Sequence, residues 1–462
     1  MLIKLKNLGP LKQAEFELGD MTIICGPNNT GKTYATYALF GFLSFWKEAF
    51  SINIPKQSVQ KLMSDGSTKL DLNDYINDAE TILHKGCEEY TKQLPRVFAS
   101  SEKHFTDASF LIDVSKNDIQ PKPSFELTMG TAKTKLITIL KQPQDTNVHI
   151  SLLVEKDERK VPDALIIKVI GDAIKEILFG HLFPNAFIAS AERTGAAIFR
   201  KELNFARNRL LEQMGSLEKE LNPFELLSKV YSDYALPVRA NVDFTRQLES
   251  AAKKESFIAK ERSQLLGDFS DIIGGEYTVT RSDELYFIPR VNKRLKLTME
   301  ESSSAVRSLL DVGFYLRHVA QPNDLFVIDE PELNLHPENQ RRIARLFARL
   351  INVGIKIFMT THSDYIIKEL NTLIMLNHDK AHLKRIMEDQ GYSPEEMLPS
   401  NKVKVYIAEE ALVKLDGAKR MSRCPTLTPA DIDPELGIEA RSFDKTIEDM
   451  NRIQEEIIWG GE

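Results

Sequence analysis

The segment from Thr22 to Thr33 constrains this chain more than any other. It begins with a short apolar run that predicts a buried strand, and a helical pattern follows it over 34–45. The residues between them match GxxxxGKT, in which the glycines let the backbone turn tightly. A strand, such a loop and a helix together form the context of a phosphate-binding loop. The loop residues are Gly26, Pro27, Asn28, Asn29, Thr30, Gly31, Lys32 and Thr33.

The residue types of this loop suit ATP. Backbone N–H groups of the loop and of the following helix would point at the β- and γ-phosphates. Lys32 would add a positive charge there, and Thr33 a hydroxyl for Mg²⁺. The alternative is a strand, turn and helix that match the pattern without binding a ligand. The two further motifs described below favour the phosphate site over that alternative.

Length and composition exclude several classes of protein. A chain of 462 residues is long enough for two or three domains. Its net charge of −7 argues against a protein that covers nucleic acid with its whole surface, although a local basic face stays open. Three widely separated cysteines indicate neither a disulfide framework nor a zinc site. No apolar run reaches the ~20 residues that span a bilayer, so we expect a cytoplasmic protein without a membrane partner.

The N-terminal half of the chain alternates between strand and helix patterns. Two short strands are predicted within 2–18, a helical pattern over 73–98 and an antiparallel β region over 105–155. A helix over 164–179 then leads to a predicted strand over 186–189. These patterns predict an α/β fold class with an antiparallel β subdomain.

The predicted strand 186–189 ends in a polar cluster that contains Glu192 and Arg193. Active-site groups often follow the end of an apolar strand, and a solvated loop is the alternative. Residues 196–270 are charged and have apolar spacing suited to paired helices, so we predict a helical insertion there. Its basic side chains alternate with acidic ones, which favours a solvated helix face over a phosphate-binding surface.

A second chemical motif begins at Leu325. Residues 325–328 are apolar and predict a strand buried on both faces, and Asp329 and Glu330 follow at its end. In a nucleotide site, Asp329 would hold the water shell of Mg²⁺ and Glu330 would polarise the water that attacks the γ-phosphate. Two carboxylates after one strand are weak evidence alone. In the same chain as GxxxxGKT they are strong evidence for ATP hydrolysis.

A third motif follows at the end of another predicted strand. The apolar run that begins at Ile355 ends in Thr360, Thr361 and His362. A histidine at the carboxyl end of a strand can donate a hydrogen bond to a γ-phosphate. A lone histidine is more often structural, but the order of the three motifs along the chain favours a catalytic role for His362.

These motifs are similar to those of an ABC-type ATPase of the SMC/RecF/OLD (overcoming lysogenization defect) group. The resemblance covers roughly residues 1–45 and 270–375. It implies an ABC-type P-loop ATPase head, in which two nucleotide-binding domains pair head to tail and enclose ATP between the P-loop of one copy and the signature segment of the other. Residues 301–308 occupy the signature position, so Ser303 or Ser304 would contact the γ-phosphate across a homodimer.

The chain departs from that group at two positions. Ala305 follows Ser304 where the group has a glycine, so the close approach of the backbone to the phosphate is in doubt. Glu192 and Arg193 lie where the glutamine of the Q-loop is expected. We therefore expect ATP binding with slow hydrolysis.

Comparison of the sequence with individual members of the group excludes several of them as models for this chain. The long coiled-coil arms of SMC proteins and the compact spacing and Leu-Ser-Gly-Gly-Gln signature of transporter subunits are both absent from the sequence. OLD nucleases carry a Toprim domain with two acidic elements. In this chain, Glu409-Glu410 and Asp431-Ile432-Asp433 are similar to those elements. The stretch after His362 is too short for that domain, so we expect no intrinsic nuclease.

The chain is predicted to have four parts. They are an N-terminal lobe of the ATPase head over 1–195, the helical insertion over 196–270, a C-terminal lobe over 271–385 and a C-terminal helical tail over 386–462. In that tail, apolar residues fall on one face of a final helix that begins at Ser442. This face either docks on the ATPase core or contacts a second protein. Its residues are Phe443, Ile447, Met450, Ile453 and Ile457.

Stand-alone ATPases of this size resemble subunits of two-component bacterial anti-phage systems, such as PtuA of Septu and of some retrons and AriA of PARIS. That resemblance implies a homo-oligomer that holds a toxic nuclease effector and releases or activates it when a phage protein is sensed. It makes anti-phage defence the leading hypothesis, with an HNH or Toprim-like partner.

Two other hypotheses stay open. The first is a RecF-like DNA-repair ATPase, which needs a coherent basic groove and whose DNA affinity should fall steeply with salt. The second is a structural protein that uses ATP only to hold its dimer together. Replacement of Glu330 by glutamine distinguishes this structural protein from an ATPase that uses hydrolysis. The replacement should stabilise the ATP-bound dimer if hydrolysis matters and have no effect if it does not.

Overall fold

The computed structural model describes residues 1–130, 135–153, 162–200, 234–438 and 450–457. In these ranges the strands are β1 (Leu2–Leu8), β2 (Leu11–Glu17), β3 (Met21–Cys25), β4 (Ser67–Asp71), β5 (Ser109–Asp113), β6 (Phe125–Gly130), β7 (Lys135–Lys141), β8 (Asn147–Leu152), β9 (Ala186–Ala189), β10 (Gly275–Val279), β11 (Leu285–Pro289), β12 (Leu325–Asp329), β13 (Lys356–Thr361), β14 (Val403–Val413), β15 (Ser422–Pro429), β16 (Ile432–Asp433) and β17 (Gly437–Ile438).

The helices of the same ranges are α1 (Lys32–Ala49), α2 (Lys56–Asp65), α3 (Leu72–Asn77), α4 (Ala79–Thr91), α5 (Leu94–Val97), α6 (Asp163–Phe179), α7 (Arg193–Ile198), α8 (Leu236–Arg246), α9 (Leu248–Ala251), α10 (Phe257–Glu261), α11 (Gln264–Ile273), α12 (Ser304–Ser308), α13 (Leu310–Phe314), α14 (Pro337–Asn352), α15 (Asp364–Met375) and α16 (Ala381–Gln390). A π-helical turn, Tyr315–Val319, continues α13. None of the described helices is both long and apolar enough to cross a membrane.

The chain divides into two compact units. The first unit comprises Met1–Lys4, Phe42–Gln93 and Ser109–Pro184, and the second comprises Leu5–Gly41, Leu94–Ala108 and Asn185–Glu462. The predicted lobe boundary at residue 195 does not coincide with this division, because the second unit is assembled from three separate stretches of the chain.

The second unit is built around a six-stranded sheet in the order β15-β14-β3-β13-β12-β9. Its strands are parallel except for β15, which pairs antiparallel to β14. All five residues of β3 and all five of β12 are buried, as expected for central parallel strands. In register, Cys25 lies beside Thr361 and Asp329 beside Thr360. The carboxyl ends of β3, β13 and β12 therefore meet at one edge of the sheet.

The predicted helical tail over 386–462 is wrong for its central part. There β14 pairs in parallel with β3, and β15 turns back along β14. Val403, Val405 and Ile407 are buried in β14, so this apolar run completes the ATPase sheet. Residues 450–457 are helical, with Met450, Ile453 and Ile457 exposed. Phe443 and Ile447 of the predicted final helix lie outside the described residues.

The predicted insertion over 196–270 is helical where it is described, since α8, α9, α10 and most of α11 lie within it. Residues 201–233 of this prediction lie outside the described ranges. Asn241 of α8 donates to Ile188 O of β9 and accepts from the Ser190 N–H. The helices after residue 234 therefore pack on the end of β9 and belong to the same unit as the sheet.

The first unit contains a four-stranded antiparallel sheet in the order β4-β8-β7-β6. Three of these strands lie in the predicted β region, whereas β4 comes from an earlier stretch that was not predicted as a strand. Aromatic rings form the core beside helices α4 and α6. They are those of Phe42, Phe50, Tyr90, Phe110, Phe179 and Phe183. The predicted α/β fold class with an antiparallel β subdomain is confirmed.

Candidate nucleotide-binding site

The glycine-rich loop joins β3 directly to α1, which begins at Lys32. Gly26 has φ 133° and Gly31 has φ 100°, a region that side chains with a Cβ rarely adopt. A Cβ at Gly26 would lie 2.5 Å from Ala408 O of β14, and one at Gly31 would lie 2.6 Å from Leu11 Cγ. Both glycines are therefore required by the backbone and by its close neighbours.

The Lys32 side chain turns back into the loop. Its Nζ donates to Gly26 O at 2.9 Å and to Pro27 O at 2.6 Å. Burial lowers the pKa of Lys32, while the carboxylates of Glu330 and Asp329 oppose that shift. The ammonium thus lies beside the two carboxylates that the sequence predicted for hydrolysis, in a position to exchange carbonyl oxygens for phosphate oxygens.

The outer part of the loop is accessible to a ligand. Pro27, Asn28, Asn29 and Thr33 are exposed, and the Thr30 hydroxyl donates to Pro27 O at 2.8 Å. The first turn of an 18-residue helix begins here, and its unpaired N–H groups together with the helix dipole favour an anion. The structure thus places all eight predicted loop residues at the start of α1 or directly before it.

Asp329 is the last residue of β12 and is 2% exposed. Its carboxylate accepts a short hydrogen bond from the Thr360 hydroxyl of β13. Burial raises the pKa of Asp329 to about 6, and the nearby carboxylates of Glu330 and Glu192 add to that shift. A buried carboxylate next to other carboxylates gains from a nearby cation, which suits the predicted Mg²⁺ role.

Glu330 follows with φ 50°, and its N–H donates to Thr360 O at 3.1 Å. Its Oε1 lies 3.6 Å from His362 Nε2, longer than a formed hydrogen bond. The interaction with His362 lowers the pKa of Glu330 below its usual value. Glu330 is therefore a carboxylate at neutral pH, as the role of polarising a water requires.

Glu332 is a site residue whose role the sequence did not predict. Its Oε1 accepts from the His362 N–H at 2.6 Å, and its Oε2 accepts from the Thr361 hydroxyl at 2.9 Å. Burial raises the pKa of Glu332. This side chain ties the segment after β12 to the end of β13 and so sets the distance between Glu330 and His362.

Glu192 occupies the position where the resemblance places the Q-loop glutamine. Its Oε2 accepts from the Tyr37 hydroxyl at 3.0 Å, one helical turn after Thr33. Burial raises the pKa of Tyr37, and the Glu192 carboxylate adds to that shift. The polar cluster after β9 therefore contacts α1 through the exposed Glu192, while Arg193 beside it is buried.

The signature segment lies at the start of α12. Ser303 caps this helix, with its hydroxyl accepting from the Val306 N–H at 3.3 Å, and both Ser303 and Ser304 are exposed. Arg307 Nη1 donates to Ser302 O at 2.8 Å and braces the turn before the helix. Among the described residues, no hydrogen bond joins Ser303 or Ser304 to the glycine-rich loop, and their contact with the γ-phosphate of a second copy stays a prediction.

The acidic elements that imitate a Toprim domain do not meet. Glu409 and Glu410 lie opposite Thr426 and Pro425 in the β14–β15 pair. The Ala430 N–H donates to Val405 O, which places the following Asp431 near the start of β14. At the rise of a strand, four or five residues separate these carboxylates by roughly 15 Å.

A comparison with protein-family models identifies the family of the chain. Residues 1–367 match the model described as an AAA ATPase domain. The chain belongs to this family. A search of curated proteins finds no match.

Solved structures of SMC heads are also similar to this chain, at low identity. A head bound to the C-winged helix domain of ScpA has a TM-score of 0.32 and 11% identity, covering 92% of this chain and 97% of that chain. The SMC head domain from Thermotoga maritima gives 0.30 and 12%, covering 93% and 98%. A head with an extended coiled coil, bound to the C-terminal domain of ScpA from Pyrococcus furiosus, gives 0.31 and 13%, covering 98% of each chain.

Membership of an ATPase family implies that the chain binds ATP and typically Mg²⁺ with it. The described residues contain no group of three or more His, Cys, Asp or Glu side chains that could hold a metal ion. Mg²⁺ in such sites is bound by one or two protein oxygens together with the phosphates, and Thr33 and Asp329 are oxygen donors of that kind. The donor set therefore fits Mg²⁺ brought with the nucleotide.

Proposed function

We propose that this ATPase is a sensor and scaffold subunit of a bacterial anti-phage defence system. It binds and hydrolyses ATP, forms a head-to-tail homodimer or a higher homo-oligomer, and holds or activates a toxic nuclease effector. The observation that carries the ATP-dependent part is the convergence of Lys32, Asp329, Glu330 and His362 at one edge of the parallel sheet.

In this proposal, each of these residues has a task in hydrolysis. Lys32 and the N–H groups at the start of α1 bind the phosphates and neutralise their charge. Mg²⁺, held by Thr33 and Asp329, would supply further charge neutralisation. Glu330, ionised and beside His362, orients the attacking water and accepts its proton. His362, whose Nε2 lies 3.6 Å from Glu330 Oε1, donates to the γ-phosphate.

Slow turnover follows from two features of the site. Ala305 carries a side chain where the resemblance has a glycine, so the signature backbone stays further from the phosphate of the second copy. Glu192 adds a negative charge near Asp329 where the glutamine would be neutral. A slow ATPase that stays closed on its nucleotide is suited to holding a partner until a phage protein triggers release.

The defence role is supported by the resemblance to stand-alone ATPase subunits and by an exposed apolar helix face. Met450, Ile453 and Ile457 are spaced to lie on one side of the helix over 450–457, and each is about half exposed or more. Exposed apolar side chains in a row favour contact with a second protein.

Co-purification tests this proposal. The Glu330→Gln form, co-expressed with its genomic neighbours, is purified with ATP, and the mass of the complex is measured. We expect a large assembly that contains a nuclease, and Lys32→Ala prepared in the same way should lose it. A dimer without any effector, which instead retains DNA, would contradict the proposal.

The DNA-repair alternative is favoured by one surface. The hairpin of β14 and β15 carries Lys414, Lys419 and Arg420, which are exposed and have no ion-pair partner among the described residues. If DNA binds there, affinity should fall steeply with salt, and replacing these three residues with glutamine should reduce that salt dependence. Salt-independent or absent DNA binding would leave the defence hypothesis ahead.

A further inference from the structure

Arg193 is a charged residue buried between the parts of the ATPase site. Its side chain is 1% exposed, and all of its hydrogen bonds in the described structure go to main-chain carbonyls. The acceptors are Ser190 O at 2.9 Å, Ser308 O at 2.6 Å, Asp329 O at 2.6 Å and Glu330 O at 2.8 Å. One guanidinium therefore joins the end of β9, the end of α12 and the two residues predicted to carry hydrolysis.

Burying this charge is costly. Burial lowers the pKa of Arg193, and only the surrounding carboxylates, of which those of Asp329 and Asp311 are the largest contributors, oppose the shift. The four hydrogen bonds offset the cost of burying this charge. An uncharged side chain such as methionine would leave these carbonyls without a donor, so the guanidinium holds three separate backbone segments together.

The hydrogen bond from Arg193 to Ser308 O links the guanidinium to α12. Ser303 caps the start of α12, and Ser308 ends it, about 7.5 Å further along the helix axis. The Ser308 hydroxyl donates to Leu333 O at 3.0 Å, while Ser308 O accepts from Arg193. The signature helix is thus attached on two sides to the backbone around Glu330, and a movement of either is transmitted to the other.

We infer that Arg193 is a positioning residue that couples the signature helix to the hydrolytic strand end within one copy of the chain. When Ser303 or Ser304 engages the nucleotide of a second copy, α12 is fixed, and Arg193 fixes the backbone of Asp329 and Glu330 in turn. The inference rests on the proposed head-to-tail pairing. It makes hydrolysis in one site depend on the nucleotide of the other.

A double-mutant cycle on ATP hydrolysis tests the coupling. Arg193→Met alone should lower kcat by about tenfold or more, while the Kd for ATP stays within about threefold, because the donors of this side chain are all taken up by main-chain carbonyls. Ser303→Ala should lower kcat as well. If Arg193 transmits the effect of the signature, the double variant should be no slower than the slower single variant, whereas independent effects multiply and would overturn the inference.

The chain offers a matched control in Arg200. This arginine is also buried, at 6% exposed, and donates to Thr245 O, to Asp283 O and to the Asp283 carboxylate, none of which is an acceptor of Arg193. Arg200→Met should lower the melting temperature as Arg193→Met does but leave kcat per folded molecule unchanged. Equal loss of kcat in both variants would reduce Arg193 to a packing role.

Arg193→Lys keeps the charge and some of the hydrogen-bond donors. It replaces Arg193→Met in the double-mutant cycle if Arg193→Met fails to fold. We expect it to restore the melting temperature more fully than kcat, because an ammonium cannot reach all four carbonyls at once. A lysine variant with full kcat would contradict the coupling, since the bridge between α12 and Glu330 would then be unnecessary.

A third measurement needs no change at Arg193. Heterodimers of wild-type and Lys32→Ala copies, purified through two tags, contain one functional P-loop. Coupling predicts less than about a tenth of the homodimer activity, and independent sites predict half of it. If the wild-type protein neither binds ATP nor pairs, the proposed function fails. If it does both and these variants behave as independent sites, only the coupling fails.

Discussion

The carboxyl edge of the parallel sheet in the second unit and the core beside α4 and α6 in the first unit bury different kinds of side chain. At the carboxyl edge of the parallel sheet, Lys32, Asp329 and Thr360 are at most 6% exposed, although all are polar. In the core beside α4 and α6, the buried side chains are aromatic rings such as those of Phe42 and Phe50. Burial therefore costs desolvation free energy at the sheet edge, whereas it stabilises the fold in the aromatic core.

This difference separates function from stability. A buried polar group costs free energy unless it is hydrogen-bonded, whereas a buried ring contributes several kcal/mol through area and contacts. Buried polar side chains that cost folding free energy and are still held by hydrogen bonds indicate a functional site. They lie at the carboxyl edge of the parallel sheet. Changes at the carboxyl edge of the parallel sheet should therefore alter ATP chemistry more than folding, and changes in the aromatic core of the first unit should do the reverse.

Glu330→Gln should show the largest effect on chemistry. The amide keeps the shape of the side chain but cannot accept a proton, so kcat should fall by about 1000-fold while ATP still binds. Single-turnover hydrolysis with radiolabelled ATP measures this, and unfolding in urea should shift little. A variant that hydrolyses ATP at the wild-type rate would remove Glu330 from the mechanism.

Phe50→Ala should show the largest effect on stability. Phe50 is 1% exposed and contacts the rings of Phe42, Trp46 and Phe179. Its truncation should cost about 4 kcal/mol of unfolding free energy in urea titration, with Phe50→Leu costing less. ATP affinity of the folded protein should stay unchanged. A matching loss of ATP affinity would show that the two units are not separable in this way.

Lys32→Ala should weaken ATP binding by about 100-fold, since a charged hydrogen-bond donor to the phosphates is lost. Burial already lowers the pKa of Lys32, so its removal should cost little stability. Lys175 of the first unit is the matched control, because it is also buried and donates to Lys47 O and Asp172. Lys175→Ala should lose stability and keep ATP affinity; titration calorimetry separates the two results.

The sequence predicted those parts of the site that continuous apolar runs reveal. Each of β3, β12 and β13 is such a run followed at once by polar residues, and parallel pairing brings their ends together. The antiparallel β region was predicted from alternation in the same way. Local patterns were sufficient there, because each strand carries its own signal.

Other features depend on contacts that no local pattern encodes. The partner of β14 is β3, about 380 residues earlier in the chain, and its Glu409 and Glu410 suggested a different motif. The four acceptors of Arg193 are main-chain carbonyls, which any residue supplies. The contacts of Arg193 therefore cannot be predicted from the sequence alone, because they depend on the three-dimensional positions of the strand ends.

The smallest predicted effect compares one carboxylate from each unit. Burial raises the pKa of Asp311 in α13 to about 7, and its Oδ1 accepts from the Thr245 hydroxyl at 3.3 Å. In the first unit, hydrogen bonds from Asn147 and His149 lower the pKa of Asp145 to about 2. The two groups should affect stability with opposite signs as pH changes.

Asp311→Asn should stabilise the protein at pH 8, by about 2 kcal/mol, because it removes a buried charge. The native pKa of Asp311 lies above its unfolded value, so its contribution is most favourable below pH ~4 and is lost as the pH rises through about 7. The gain from Asp311→Asn should therefore shrink towards pH 5. Asp329 and Glu332 also titrate with raised pKa values, but they are present in both proteins and cancel in the difference.

Asp145→Asn should behave in the opposite way. Its native pKa lies below the unfolded value, so the carboxylate stabilises the fold above pH ~4 and that contribution disappears as the pH falls through about 2. The variant should lose stability at pH 7 and approach the wild type in acid. Urea titrations of both variants at pH 5 and pH 8 measure the signs. A gain from Asp311→Asn that is independent of pH would show that the pKa of Asp311 is the same in the folded and the unfolded protein, and that burial does not destabilise this carboxylate.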